Sequence, residues 1–118
     1  MGTWGTGNFE SDAALDFFFE VQEELLAKVR PVINARRIVD VNDLDAVVVP
    51  CVEILALLGE HVNLINLPRE ELQGWREKSL AAFDEQIDEY EPAEGYKEAR
   101  RRVMEQTFDR LAKVLPSE

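Results

Sequence analysis

The sequence contains few of the residues from which catalytic centres are built. Of its 118 residues one is a cysteine, Cys51, and one is a histidine, His61. A single cysteine excludes disulfide bonds within the chain and zinc clusters made of several cysteines. His61 directly follows a predicted helix, where a capping or surface role is more common than general-base catalysis. We therefore expect a non-enzymatic protein with no catalytic residues, no metal ligands and no cofactor.

Basic residues are also scarce. The chain has 13 Lys and Arg against 24 Asp and Glu, which gives a formal net charge of −11. Binding to nucleic acid without sequence preference, and adsorption to an anionic membrane, both require basic side chains. No stretch approaches the roughly 20 apolar residues of a spanning helix, and the start of the chain lacks a basic segment followed by an apolar one. The expected partners thus exclude nucleic acid and membranes, and the expected location is the cytoplasm.

The first predicted helix carries a regular apolar face. Ser11 or Asp12 is the expected N-cap, since both side chains accept hydrogen bonds from the free N–H groups that begin a helix. Apolar side chains then recur at three- and four-residue spacing, interrupted by Gln22: Leu15, Phe18, Phe19, Leu25, Leu26 and Val29. Pro31 is expected to kink or end this helix near Arg30.

The second predicted helix, about residues 44–58, is apolar on nearly all sides and should lie at the centre of the fold. Asp43 is its expected N-cap and Gly59 its expected C-terminal stop. Pro50 lacks the backbone donor that a helix interior needs and should kink it. The valines at 47–49 favour a strand as the competing interpretation, although the sequence has no second strong strand to pair with it.

Two further amphipathic helices follow. One begins at Pro68, a residue suited to the first helical position, and continues past Gly74, a candidate interruption. The other covers about residues 96–115. Its expected inward residues are Ala99, Val103, Phe108, Leu111, Val114 and Leu115. Four such segments joined by short loops predict one all-α, bundle-like domain over residues 1–118.

The N-terminal segment is rich in glycine. Gly5 and Gly7 invite comparison with a dinucleotide-binding loop, which needs three glycines between a strand and a helix. Here both the third glycine and the strand are missing. We expect the segment to pack across the bundle instead, with Trp4 and Phe9 buried against it.

Carboxylates recur at helical spacing at the start of the first helix. Asp12, Asp16 and Glu20 are four residues apart and share one face. Such a column is typical of a solvated helix N-terminus, but stacked carboxylates can also bind a divalent cation. The alternative functional hypothesis is therefore a small-molecule or divalent-cation-binding protein, including a hydrolase, that uses Asp12, Asp16 and the glycine segment.

The most distinct charge pattern lies near the C-terminus. Six acidic residues, named here the acidic ridge, follow one another without an intervening base: Asp84, Glu85, Asp88, Glu89, Glu91 and Glu94. Four bases come next, with only Glu98 opposing them: Lys97, Arg100, Arg101 and Arg102. If the last two helices form an antiparallel hairpin, the two blocks meet at one end and pair in part. The alternative is an exposed ridge that attracts a basic protein partner.

The opening of the chain resembles a known bacterial family. Residues 1–17 read Met-Gly-Thr-Trp-Gly-Thr-Gly-Asn-Phe-Glu-Ser-Asp-Ala-Ala-Leu-Asp-Phe. Small proteins of domain-of-unknown-function family 4259 begin in a similar way, with Met-Gly-x-Trp-Gly-x-Gly-x-Phe and then acidic residues. The resemblance implies one cytoplasmic domain of about this length and brings no activity, cofactor or catalytic residue. The residues that carry it are interpreted as a structural nucleus in which aromatics pack and acids flank the first helix: Trp4, Gly5, Gly7, Phe9, Asp12 and Asp16.

These observations favour a cytoplasmic protein–protein interaction domain that binds a basic protein through the acidic ridge. An immunity-like or regulatory role, in which the domain neutralises a basic effector or toxin, is the most concrete form of this hypothesis. The sequence indicates no oligomeric state.

Overall fold

A computed structural model of the chain describes residues 2–116, so the first residue of the opening motif lies outside the described range. The helices follow one another as α1 (Asp12–Ile33), α2 (Val41–Asp43), a π-helical turn (Leu44–Val48), α3 (Val49–His61), α4 (Arg69–Gln86), a 3-10 turn (Ile87–Tyr90) and α5 (Tyr96–Val114). Within residues 2–116 the only β-type pairing is an isolated bridge between Thr3 and Ser11. The predicted all-α bundle of four main helices is confirmed.

Helix α1 begins where the sequence indicates and ends later than expected. Ser11 is the N-cap, and its side chain accepts a hydrogen bond from the Ala14 N–H. The predicted end near Arg30 is wrong, because the helix passes through Pro31 to Ile33. A proline in the last turn removes one donor, whereas the burial of Ile33 in the core stabilises that turn.

The second helical region begins before the predicted residue 44 and contains a wider turn. Asp40, not Asp43, is the N-cap, and its side chain accepts a hydrogen bond from the Asn42 N–H. The irregularity expected at Pro50 takes the form of the π-helical turn just before it, in which the Val49 N–H binds the Leu44 carbonyl five residues back. A wider turn relieves the contact between a proline ring and the carbonyl four residues earlier.

Helix α3 forms the centre of the core, as its apolar composition predicts. It packs on α1 and, most extensively, on α5. The prediction that Gly59 ends it is wrong, since Gly59 is buried inside the helix. A Cβ atom at this position would lie 2.5 Å from Val114 Cγ2 and 3.0 Å from Ile65 Cγ1. Glycine is therefore required by the close approach of α5 and not by a helix stop.

Helices α4 and α5 are antiparallel, and their register is set at both ends. Arg69, at the start of α4, donates to the carbonyls of Ala112 and Leu115 at the end of α5. A cation satisfying the last carbonyls of a helix is a favourable C-terminal arrangement. Gly74 does not interrupt α4.

The buried face of α5 differs in part from the predicted one. The fully buried residues are Met104, Thr107, Phe108 and Leu111, followed by Leu115 after the helix. Ala99 and Val103, both expected inward, are exposed. The three- and four-residue spacing that includes Met104 and Thr107 defines the core face, and residues 99 and 103 lie beside it.

Two glutamines hold the loops against the helices. Gln22, fully buried on α1, donates from Nε2 to the Leu64 carbonyl and accepts from the Asn66 N–H. Gln86, at the end of α4, binds the Val39 carbonyl and the Val41 N–H in the same way. Each side-chain amide thus pairs with the backbone as a neighbouring strand would. The apparent interruption of the apolar face at Gln22 is therefore a structural contact between α1 and the loop after α3.

Alanine substitutions at the two helical glycines should have opposite effects on stability. Gly74 has open space where a Cβ would lie. Gly74→Ala is therefore expected to raise the free energy of unfolding by about 0.5–1 kcal/mol, the usual helix-propensity gain. Gly59→Ala should lower it by about 1–3 kcal/mol, because the new methyl group overlaps Val114. Urea unfolding measures both, and equal stabilisation by the two variants would contradict the close packing of α3 on α5.

Candidate functional site

Part of the acidic ridge is paired with the bases that follow it. Asp84 accepts two hydrogen bonds from Arg101, at 2.9 and 3.1 Å, and Asp88 lies 3.0 Å from Lys97 Nζ. The later aspartate pairs with the earlier base, as is expected when α4 and α5 run antiparallel. Arg100 pairs instead with Asp45 of the π-helical turn, at 2.7 Å.

The four glutamates of the ridge are exposed and form no ion pair with any described residue. Helix geometry explains the division. Residues four apart share a face, so Asp84 and Asp88 both point to α5, while Glu85 and Glu89 are each turned by one further residue. Glu91 and Glu94 lie beyond the helix, in the connection to α5. The predicted ridge is thus a paired aspartate row beside four free glutamates.

The connection between α4 and α5 contains a glutamate in an unfavourable backbone conformation. Glu91 has φ of 48° and ψ of 57°, the left-handed region that glycine and asparagine adopt most readily. Gly95, with φ of 83°, also has a positive φ, but glycine adopts this conformation without a steric penalty because it has no Cβ. Glu91 is the only non-glycine residue within 2–116 with positive φ.

A groove lies between the connector, residues 34–40, and the C-terminal half of α4. The connector is attached to α4 at both ends: Lys78 donates to the Ile33 carbonyl at 3.3 Å, and Gln86 binds the backbone on either side of Asp40. Two adjoining hollows of about 400 and 330 Å³ make up the groove. Attachment at two points fixes the width of the groove.

The groove has an apolar floor and charges of both signs. Its floor consists of Ile33, Val39, Ala81 and Ala82. Its charged residues are three cations and three anions: Arg36, Arg37 and Lys78, and Asp40, Glu85 and Glu89. Ile38 stands in the groove with 61% of its surface exposed. The sequence reasoning missed this site, and the signal that indicates it is the apolar Ile38 directly after two arginines in a segment that is not helical.

The N-terminal segment closes on itself instead of crossing the bundle. The Trp4 N–H binds the Glu10 carbonyl, and the Glu10 side chain lies over Gly5 and Gly7, where Cβ atoms would overlap it. The predicted burial of Trp4 is wrong, since 56% of its surface is exposed. Phe9 does pack, edge-on, with its ring centroid 5.9 Å from that of Phe18. The two glycines therefore leave room for the Glu10 carboxylate within the segment itself.

The predicted carboxylate column is an exposed surface of α1. Asp12 lies in the first turn, and its N–H donates to the Gly2 carbonyl. Asp16 and Glu20 border a shallow depression together with Phe19. Among residues 2–116 no three His, Cys, Asp or Glu side chains are grouped so as to hold a metal ion.

Other titratable groups have structural surroundings. Burial inside α3 raises the pKa of the Cys51 thiol. Hydrogen bonds from Arg110 hold the pKa of Glu60 below its usual value of 4.5. His61 is exposed and lies against Phe9, with ring centroids 5.5 Å apart.

Comparison with family models gives one match that covers nearly the whole chain. The model is that of the Domain of unknown function (DUF4259), and it matches residues 2–113. The chain belongs to the DUF4259 family. No curated protein and no solved structure matches the chain. None of the helices described in this DUF4259 domain combines the length and the apolar character needed to cross a membrane.

The Glu60–Arg110 pair joins α3 to α5 in the DUF4259 domain and should make its stability depend on pH. A carboxyl whose pKa is lowered on folding stabilises the fold above its unfolded pKa, and this contribution is lost as the pH falls through the folded value. Glu60→Gln should therefore be less stable than the parent at neutral pH. The difference should shrink below about pH 4.5 and vanish in stronger acid.

Thermal unfolding across this range measures the difference. Glu24→Gln, at an exposed α1 position with no ion pair among the described residues, is the matched control. A Glu60→Gln deficit that stays constant with pH would contradict the assignment.

Proposed function

We propose that this DUF4259 domain is a non-enzymatic, cytoplasmic protein–protein interaction domain that binds a basic partner. The observation that carries the proposal is the set of free glutamates on the acidic ridge: Glu85, Glu89, Glu91 and Glu94. Neutralisation of a basic effector or toxin, an immunity-like role, is its most concrete form. A regulatory role with a basic partner is the broader form.

The separation of the ridge into paired aspartates and free glutamates supports a binding surface of defined shape. Asp84 and Asp88 are neutralised by Arg101 and Lys97, so they hold α5 in place and add little to the outer field. Glu85 and Glu89 are one helical turn apart on the neighbouring face. A partner with lysine or arginine at a matching spacing would meet both carboxylates at once.

The backbone at Glu91 supports the same surface. A non-glycine residue in the left-handed region costs about 1–2 kcal/mol. Glycine or asparagine would fit this position better. A glutamate there is explained if its carboxylate binds the basic partner. Such strain is commonly found at binding sites.

A capture experiment with matched variants tests the ridge. The tagged chain is incubated with lysate at low and at high salt, and the bound proteins are identified by mass. The variant Glu85→Gln, Glu89→Gln, Glu91→Gln, Glu94→Gln should lose basic partners by at least about tenfold, since four exposed charges each contribute up to about 1 kcal/mol. Raising the salt should release the same proteins from the parent chain.

The control removes the same amount of charge elsewhere. Asp16→Asn, Glu20→Gln, Glu23→Gln, Glu24→Gln neutralises four exposed carboxylates on α1 and leaves the ridge intact. Equal loss of capture in the two variants would show that net charge, not the ridge, governs association. Unchanged capture in the ridge variant would refute the proposal.

A single substitution separates stability from binding at the ridge. Glu91→Gly should raise the free energy of unfolding by about 1 kcal/mol, because the left-handed conformation is then free of the Cβ penalty. It should also weaken capture, because one carboxylate is lost. Glu94→Gly removes the same charge at a residue without positive φ and should give no stabilisation. Urea unfolding and capture are measured on both, and a Glu91→Gly protein that is no more stable than the Glu94→Gly protein would contradict the role of strain.

A further inference from the structure

Ile38 is an exposed apolar side chain placed between two hollows. The two hollows of the groove share three lining residues, Ile38, Arg37 and Glu85. These residues therefore separate one hollow from the other. Each hollow is large enough to accept an aliphatic side chain of another molecule. A projecting isoleucine beside hollows of matching size has the form of a surface that fits a copy of itself.

The charges of the groove have the same self-complementary character. Arg36 and Arg37 lie on the connector together with Asp40, whereas Glu85 and Glu89 lie on the opposite wall together with Lys78. Arg36 and Arg37 form no ion pair with any residue in 2–116, and neither do Glu85 and Glu89. A two-fold axis through such a surface can place Arg36 and Arg37 of one copy opposite Glu85 and Glu89 of the other.

The electrostatics of the whole chain make this surface suitable for contact between copies. With a net charge of −11, two copies repel each other at most orientations. The groove carries equal numbers of cations and anions, so approach there meets less repulsion than at a purely acidic face. Lys78 and Gln86 already hold the connector in place, which reduces the entropy lost when the groove is covered.

We infer that the groove between the connector and α4 binds a second copy of this chain in a two-fold dimer. Ile38 of each copy enters a hollow of the other, and Arg36 and Arg37 of each copy face Glu85 and Glu89 of the other. A second copy can cover the exposed Ile38 side chain and also pair with the cations and the anions of the groove.

The dimer is independent of the proposed function, although the two share Glu85 and Glu89. A second copy and a basic partner therefore compete for these carboxylates. Self-association measured on the purified chain tests the dimer, and capture from lysate tests the partner, so the failure of one leaves the other standing.

Sedimentation analysis of the purified full chain tests the dimer. We expect reversible dimerisation with a dissociation constant in the micromolar range, as is common for small interfaces. Ile38→Asp should raise this constant at least about tenfold, because it replaces the apolar side chain that enters the hollow with a charged one that must lose its hydration. Ile54→Asp, at an apolar α3 residue that is also exposed, is the matched control and should leave the constant unchanged.

A charge exchange tests the orientation of the two copies. Arg37→Glu and Glu85→Arg should each weaken the dimer several-fold, because each brings like charges together. The double variant, with both changes in every copy, should restore much of the affinity. Circular dichroism confirms that each variant is folded.

Two results would overturn the inference. One is a chain that stays monomeric from about 1 µM to about 1 mM at low salt. The other is a dimer that Ile38→Asp leaves intact or that Ile54→Asp abolishes, since the contact would then lie on another face.

Discussion

The close approach of α5 to α3 at Gly59 is the contact on which the rest of the bundle depends. Helix α3 is apolar on nearly all sides, so it is stable only when other helices cover it. Because Gly59 has no side chain, Val114 can lie directly against the α3 backbone. The adjacent Glu60–Arg110 pair joins the same two helices at the surface. The C-terminal helix can therefore approach α3 closely at Gly59, and the surface ion pair holds it there.

The position of α5 determines which acidic residues remain free. Once α5 lies antiparallel to α4, its bases meet the carboxylates at Asp84 and Asp88 and neutralise them. Glu85 and Glu89 are displaced around the helix by one residue and cannot reach the same partners. The charge pattern at the surface is thus a consequence of helix register and not of composition alone. The same register turns these two glutamates toward the connector, where they form one wall of the groove.

Features that depend on local periodicity could be predicted from the sequence. Features that depend on which helices contact one another were missed. The four main helices and the Ser11 cap follow from spacing within one segment. The pairing of bases with part of the ridge was one of two alternatives, because it depends on α4 and α5 forming a hairpin. Gly59 was misinterpreted because a stop and a close contact both require glycine, and only the neighbouring helix distinguishes them. Trp4 was expected in the core because large aromatics usually are buried, whereas its segment instead folds around Glu10. The groove could not be predicted, since it requires knowledge of which helix the connector lies against.

The two glutamine contacts explain how a small chain can keep an irregular connector in one position. A backbone segment without secondary structure leaves its N–H and carbonyl groups without partners, which is costly wherever water is excluded. Gln86 satisfies one donor and one acceptor of the connector with a single side chain, as Gln22 does for the loop after α3. Because the connector is held, the side chains that follow one another along it, Arg37 and Ile38, keep fixed positions beside α4. A basic and an apolar group are thus presented together on a chain that is otherwise strongly acidic, a local combination that the net charge of the chain does not reveal.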